Sequence, residues 1–150
     1  VHPIPKTWPQ LTALVIRVLL GAWFMYSGGG KIFVTGLDRF TRDVGNYKLV
    51  TAPLDAVVAY TVPWVELVGG ICLMLGILRK GTLLAMTGLV LTFCTAIGWA
   101  WSRNLDISCG CHGGDTKLNY TWKAVELAGY LIAFGLLWVM ERRHEQRAIR

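Results

Sequence analysis

Residues 82–101 read TLLAMTGLVLTFCTAIGWAW, twenty consecutive positions without an acidic or basic side chain. About 20 mostly apolar residues, wound as a helix, cross the hydrocarbon core of a bilayer. Working outward, three more segments have the same character. They are LDAVVAYTVPWVELVGGICLMLGIL at 54–78, WKAVELAGYLIAFGLLWVM at 122–140, and the run around LTALVIRVLLGAWFMYS at 10–27. None shows the single apolar stripe of a helix that lies on a soluble core. The segment at 10–27 is long for the apolar region of a signal peptide and contains Arg17. It runs into Gly28, Gly29, Gly30 and Lys31, with no small-residue cleavage site, so it is expected to stay as a span. The sequence therefore predicts an all-α integral membrane protein. It is a four-helix transmembrane bundle, one domain over residues 1–150, with exposed loops at about 28–53 and 102–121.

Composition agrees. Hydrophobic residues make up 54% of the chain and charged residues 16%, where a soluble domain carries about a quarter charged. The net charge of +6 is not read as a nucleic-acid signal. Arg79-Lys80 and Arg142-Arg143 sit at span ends, where basic side chains anchor helices among lipid headgroups. The expected partner of this surface is the lipid bilayer, and no nucleic acid.

Four spans place both termini on one side. Lys6, Arg79, Lys80, Arg142, Arg143, Arg147 and Arg150 fall there, in short stretches. Lys31, Arg39, Arg42, Lys48, Arg103, Lys117 and Lys123 fall on the other side, in longer ones. The density of Lys and Arg favours cytoplasmic termini, in a bacterial-type cytoplasmic (inner) membrane.

The loop at 28–53 is long for a small bundle, and loops of that length are usually functional or folded onto something. Its FTRDVGNY run is expected to form a short helix lying at the interface. The loop after the third span contains Cys109, Gly110, Cys111 and His112 in a Gly-rich run. One reading is a redox-active dithiol. Gly110 lets two sulfurs meet across a small ring, the bond would be strained, and a strained exposed disulfide passes readily to another thiol. His112 beside Cys111 would favour the thiolate. A metal half-site of Cys109, Cys111 and His112 lacks a second ligand pair, so no metal is expected. A structural disulfide, or inert thiols, is the other reading. Cys72 and Cys94 lie mid-span and read as small core residues.

Three ionisable residues fall inside the spans, where they are rare and by default functional. From the rise of a helix, Arg17 lies roughly 10 Å from the terminal face, Glu66 roughly 18 Å and Glu126 roughly 21 Å. An Arg17–Glu66 ion pair is expected, with Glu126 as an extra acid nearer the opposite face. Gly21, Gly69, Gly70 and Gly129 share helix faces with these charges. The group reads either as cement between closely packed helices or as a polar pocket that binds a quinone head or relays a proton. Pro63, one turn before Glu66, favours the pocket by freeing a carbonyl. The chain has no P-loop and no G-x-G-x-x-G before a helix. His2, His112 and His144 lie outside the spans, which argues against a haem in the bundle.

The chain resembles the MauE/DoxX-like family of four-span, redox-associated membrane proteins. Arg17 and Gly21, then YSGGGKIF with Gly28 and Lys31, carry the resemblance. So do Phe40, Tyr47 and Pro53, VPWVELVGG with Pro63, Glu66 and Gly70, LGILRKG, and SCGCHGG in the place of the family's C-x-C-F-G loop. It adds Lys31 to the intramembrane polar set of Arg17, Glu66 and Glu126. His112 departs from the family's usual Phe. The C-x-x-C of vitamin K epoxide reductase-type oxidases is absent. The resemblance implies thiol or sulfur redox chemistry outside the membrane, such as disulfide formation in a periplasmic dehydrogenase subunit or quinone-coupled sulfur oxidation. The expected function is therefore a thiol–disulfide redox protein. Cys109 and Cys111 act on an extracytoplasmic thiol protein, and a quinone or a second membrane protein near Arg17, Glu66 and Glu126 takes the electrons. The alternative is a non-catalytic accessory subunit of a larger membrane redox or energy-converting complex.

Overall fold

The computed structural model describes residues 8–105 and 119–148, with side chains described through residue 143. The order is α1 (Trp8–Gly29), a π-helical turn (Gly30–Thr35), α2 (Leu37–Asn46), α3 (Leu54–Leu75), α4 (Arg79–Ser102) and α5 (Tyr120–Ala148). Four of these are long and apolar enough to cross a membrane: Trp8–Thr35, Leu54–Leu75, Arg79–Ser102 and Tyr120–Arg143. At most 33% of any span's apolar window is buried within the chain. The remaining apolar surface needs a lipid environment, and the protein is a multi-pass membrane protein.

The spans form a four-sided ring. Helix α1 packs on α3 and α5, and α4 packs on α3 and α5, with the α1–α3 contact the most extensive. The core between them is Leu20 and Phe24 of α1, Leu73 of α3, Met86 and Val90 of α4, and Phe134 of α5. Glycine explains why α1 and α3 come so close. A Cβ on Gly21 would lie 2.6 Å from the Gly70 carbonyl oxygen, and a Cβ on Gly70 would lie 2.6 Å from that of Gly21. One turn-pair higher, a Cβ on Gly28 would lie 2.6 Å from the Pro63 oxygen and 2.9 Å from the Glu66 Cβ. Without side chains at these positions the two backbones touch, which is the usual way helices associate where lipid removes any hydrophobic drive. Helix α3 runs unbroken through Pro63, which is buried at this contact.

The turns are locally encoded. Helix α3 ends at Gly76 in the left-handed conformation (φ 70), and the Ile77 N–H donates to the Cys72 oxygen at 3.0 Å. The expected interfacial helix in FTRDVGNY is α2. It starts after Gly36 (φ 82), and its Phe40 N–H donates to the Gly36 oxygen at 3.1 Å. Its apolar residues Phe40 and Val44 face the bundle while Asp38 accepts from the Tyr60 hydroxyl at 3.3 Å. The first span is longer than its apolar run suggests, because the helix continues through Gly30–Thr35 as a π turn.

The glycine contact yields a test. Gly70→Leu should destabilise the bundle by about 1–3 kcal/mol, the usual cost of overpacking. Gly29→Ala, where a Cβ meets nothing within 4 Å, should be neutral or slightly stabilising. Thermal unfolding in detergent micelles measures both.

Candidate functional site

Lys31 sits on the π-helical turn, one helical turn beyond Ser27. The chain there has not left the bundle, so Lys31 is only 2% exposed and reaches across to α3. Its ammonium donates to both Glu66 carboxylate oxygens, at 2.7 Å (Oε1) and 2.6 Å (Oε2), and to Ser27 Oγ at 3.0 Å. The Ser27 hydroxyl also lies 3.5 Å from Glu66 Oε2. The Phe40 and Phe93 rings flank the ammonium at 5.5 and 5.4 Å from their centroids, within cation–π range. Every donor of the ammonium thus has a partner, as a charge in a low-dielectric interior requires.

A second pair lies on α5. Lys123 Nζ donates to Glu126 Oε2 at 2.9 Å, and the Tyr130 hydroxyl donates to Glu126 Oε1. Lys123, Glu126 and Tyr130 share one helix face by their i, i+3 and i+7 spacing. Tyr130 packs on Phe24 with ring centroids 5.4 Å apart.

Both pairs line one cavity of about 510 Å³. The rest of its wall is apolar and aromatic, from Trp23, Phe24, Val62, Val90, Phe93 and Ile97, and α2 with the segment after it closes one side through Phe40, Val44, Tyr47 and Leu49. Cavities of roughly 300–1,000 Å³ with apolar walls and a few placed polar groups are the usual form of small-molecule sites. Two ammonium and two carboxylate groups cancel, so the polar part of this cavity has no net formal charge.

Of the polar residues expected to act together, Lys31, Glu66 and Glu126 meet in this cavity. Arg17 does not. Its Nε donates to the Leu73 oxygen at 3.2 Å, in a separate cleft with Arg79 and Glu141. The expected Arg17–Glu66 ion pair is therefore corrected to Lys31–Glu66. Depth along the helix placed Arg17 within reach of Glu66, but the π turn brings Lys31 inside the bundle and satisfies Glu66 first. Lys123, Tyr130 and Ser27 were not singled out. Their signals, K-x-x-E-x-x-x-Y and S-x-x-x-K on one helix face, are present in the sequence.

Cys109, Gly110, Cys111 and His112 lie outside the described residues. The stems of that segment are described. The Tyr120 hydroxyl donates to the Leu105 oxygen, and the Trp101 and Tyr120 rings stack at 6.1 Å. These stems stand at the end of the bundle to which the cavity is displaced, since Lys123 and Glu126 lie within the first two turns of α5.

Tyr47 gives this wall a pH dependence. Burial, then the nearby Tyr120 and Asp43, push its phenol up to about 12. The neutral phenol is thus favoured in the folded state. Its contribution to stability is complete below the free tyrosine value near 10 and is lost as pH rises through about 12. Wild type should lose more stability than Tyr47→Phe between those values, as measured by thermal unfolding.

No curated protein and no solved structure matches the chain. The model of one family, described as methylamine utilisation protein MauE, matches residues 9–140 and so takes in all four spans almost entirely. That match covers most of the chain, and the chain belongs to the MauE family.

Proposed function

We propose that this protein is a membrane thiol–disulfide redox protein. Cys109 and Cys111 exchange with a thiol protein on the extracytoplasmic side, and a quinone in the cavity receives the electrons. The observation that carries the reading is the cavity itself, with its apolar aromatic walls, a polar end with no net charge, and a position at the end of the bundle where the Cys109–Cys111 segment is attached. A neutral cavity selects against ions and suits a flat, neutral lipophile with polar oxygens. The same charge balance disfavours a fatty acid or a lipid phosphate there. The family's description, which names methylamine utilisation, is consistent with a redox role. The density of Lys and Arg supports a cytoplasmic (inner) membrane with cytoplasmic termini.

The exchange balances. A partner thiolate attacks the Cys109–Cys111 disulfide, a mixed disulfide forms, and the partner's second thiol releases it as a disulfide. The chain is left with two thiols. Reoxidation removes two electrons and two protons from them. A quinone supplies the matching two-electron, two-proton acceptor. Lys123 is the donor within the cavity wall, held in place by Glu126, while the Lys31 ammonium and the Tyr130 hydroxyl are taken up by Glu66, Ser27 and Glu126.

Two results test this. In membranes equilibrated with thiol buffers and then alkylated, the Cys109–Cys111 pair should show a potential of about −120 mV or higher, that of a strong disulfide donor. A value below about −300 mV would assign a structural bond and favour the accessory-subunit alternative. Ala96 of α4 lines the cavity, and Ala96→Trp, which fills it, should lower kcat/KM for an added short-chain quinone by about tenfold or more while leaving the pair's potential unchanged. An unchanged kcat/KM would separate the cavity from the redox reaction.

A further inference from the structure

Helices α3 and α4 are held together below the cavity. A Cβ on Gly69 would collide with the Met86 side chain, so the seam between the two helices is closed at that level. Val62 stands seven residues before Gly69 and Val58 eleven, which puts both on the same face of α3. Both line the cavity, and both are only partly buried. On α4, Leu91, Thr92 and Thr95 line the cavity too, yet are exposed among the described residues, Leu91 at 50%. Wall residues that are also exposed mark where a cavity reaches the surface. These three lie seven to eleven residues before α4 ends at Ser102. That is roughly 10–16 Å in along the helix, at hydrocarbon depth. The rim is apolar. Residues 82–101 carry no charge. The Thr92 and Thr95 hydroxyls donate to the Gly88 and Leu91 oxygens, each at 2.9 Å, so the rim offers methyl groups rather than donors. Across the bundle, the α1–α5 seam is filled by rings, with Phe24 packed on Tyr130 at 5.4 Å and on Phe134 at 6.0 Å.

We infer that the α3–α4 seam is a side entrance from the bilayer, and that the cavity takes a lipid-dissolved quinone whose isoprenoid tail lies in the seam while its ring lies inside. This rests on the reading of the cavity as a quinone site, and adds to it the tail and the route. A mouth at hydrocarbon depth meets acyl chains, so a water-soluble substrate would have to cross lipid to reach it. A molecule already dissolved in the membrane reaches it by lateral diffusion. The walls divide in the same way. The polar groups of Lys31, Glu66, Lys123 and Glu126 are drawn from α1, α3 and α5 and the turn after α1, whereas the mouth is Val58, Leu91 and threonine methyls. A tail in the seam exchanges contact with lipid for contact with protein. Its gain comes from packing between the two helices, since lipid is as apolar as the mouth. That makes the seam sensitive to shape, and a side chain that fills it should expel the tail.

Equilibrium binding to the full chain in lipid nanodiscs, read by quenching of tryptophan fluorescence, tests the seam. Two probes share one benzoquinone ring, one without a tail and one with a tail of several isoprene units. Wild type should bind both. Thr92→Phe and Thr95→Phe, each of which fills the mouth from an exposed position, should weaken the tailed probe about tenfold. They should leave the tailless probe within about twofold, because its ring fits inside and an equilibrium does not depend on the route. Ile132→Phe on α5, at a position 65% exposed and away from the cavity, should change neither. An equal loss for both probes, or no loss for the tailed one in either mouth variant, would overturn the seam while leaving the quinone site standing. Failure of wild type to bind either probe would overturn the quinone reading of the cavity, and the placement of the tail with it.

Discussion

The ion pair between Lys31 and Glu66 is the interaction on which the rest of this bundle depends. Two opposite charges, 2% and 1% exposed, stand inside a membrane protein. Removing either charge from water alone is costly, and their attraction repays that cost only if the geometry is good and the remaining donors and acceptors are met. Here the ammonium spans both carboxylate oxygens and takes a third partner in Ser27, with aromatic rings on two sides. That arrangement needs α1 and α3 at backbone contact. Gly28 against Pro63, and Gly21 against Gly70, are what permit it.

The interior holds two regions with different chemistry. Toward the end carrying α2 and the stems of the 106–118 segment, the charges are balanced and the cavity is large and aromatic. Toward the terminal face, Arg17, Arg79 and Glu141 line a small, separate cleft. The first region suits a neutral molecule. A four-helix ring with a hydrophobic plug of Phe24, Met86, Val90 and Phe134 between them keeps the regions apart.

Much of this was legible in the sequence. The four spans follow from apolar runs such as 82–101, whose lack of charge admits no other reading. The short helix α2 follows from its own pattern. Glu66 and Glu126 stood out as acids in apolar segments. Lys31 was harder, because three glycines before it read as the end of a helix, and only the π turn shows that the span continues. The Arg17 pairing failed for a different reason. Depth along a helix can be counted from sequence, but which neighbour a side chain faces depends on packing, and here Gly21 and Gly70 set that packing. The way the two Lys–Glu pairs share one cavity is a tertiary fact with no local signature. The C-x-C pair is plain in the sequence and lies outside the described residues.

A double-mutant cycle on Lys31 and Glu66 tests the central claim most directly. Stability would be measured by thermal or denaturant unfolding in micelles, for Lys31→Met, Glu66→Met and the double variant. If the pair organises the α1–α3 interface, each single change should cost about 3–5 kcal/mol, because each leaves an uncompensated buried charge. The double variant should recover most of that loss. Single losses that simply add in the double variant would show that the two side chains act independently, and would contradict the account.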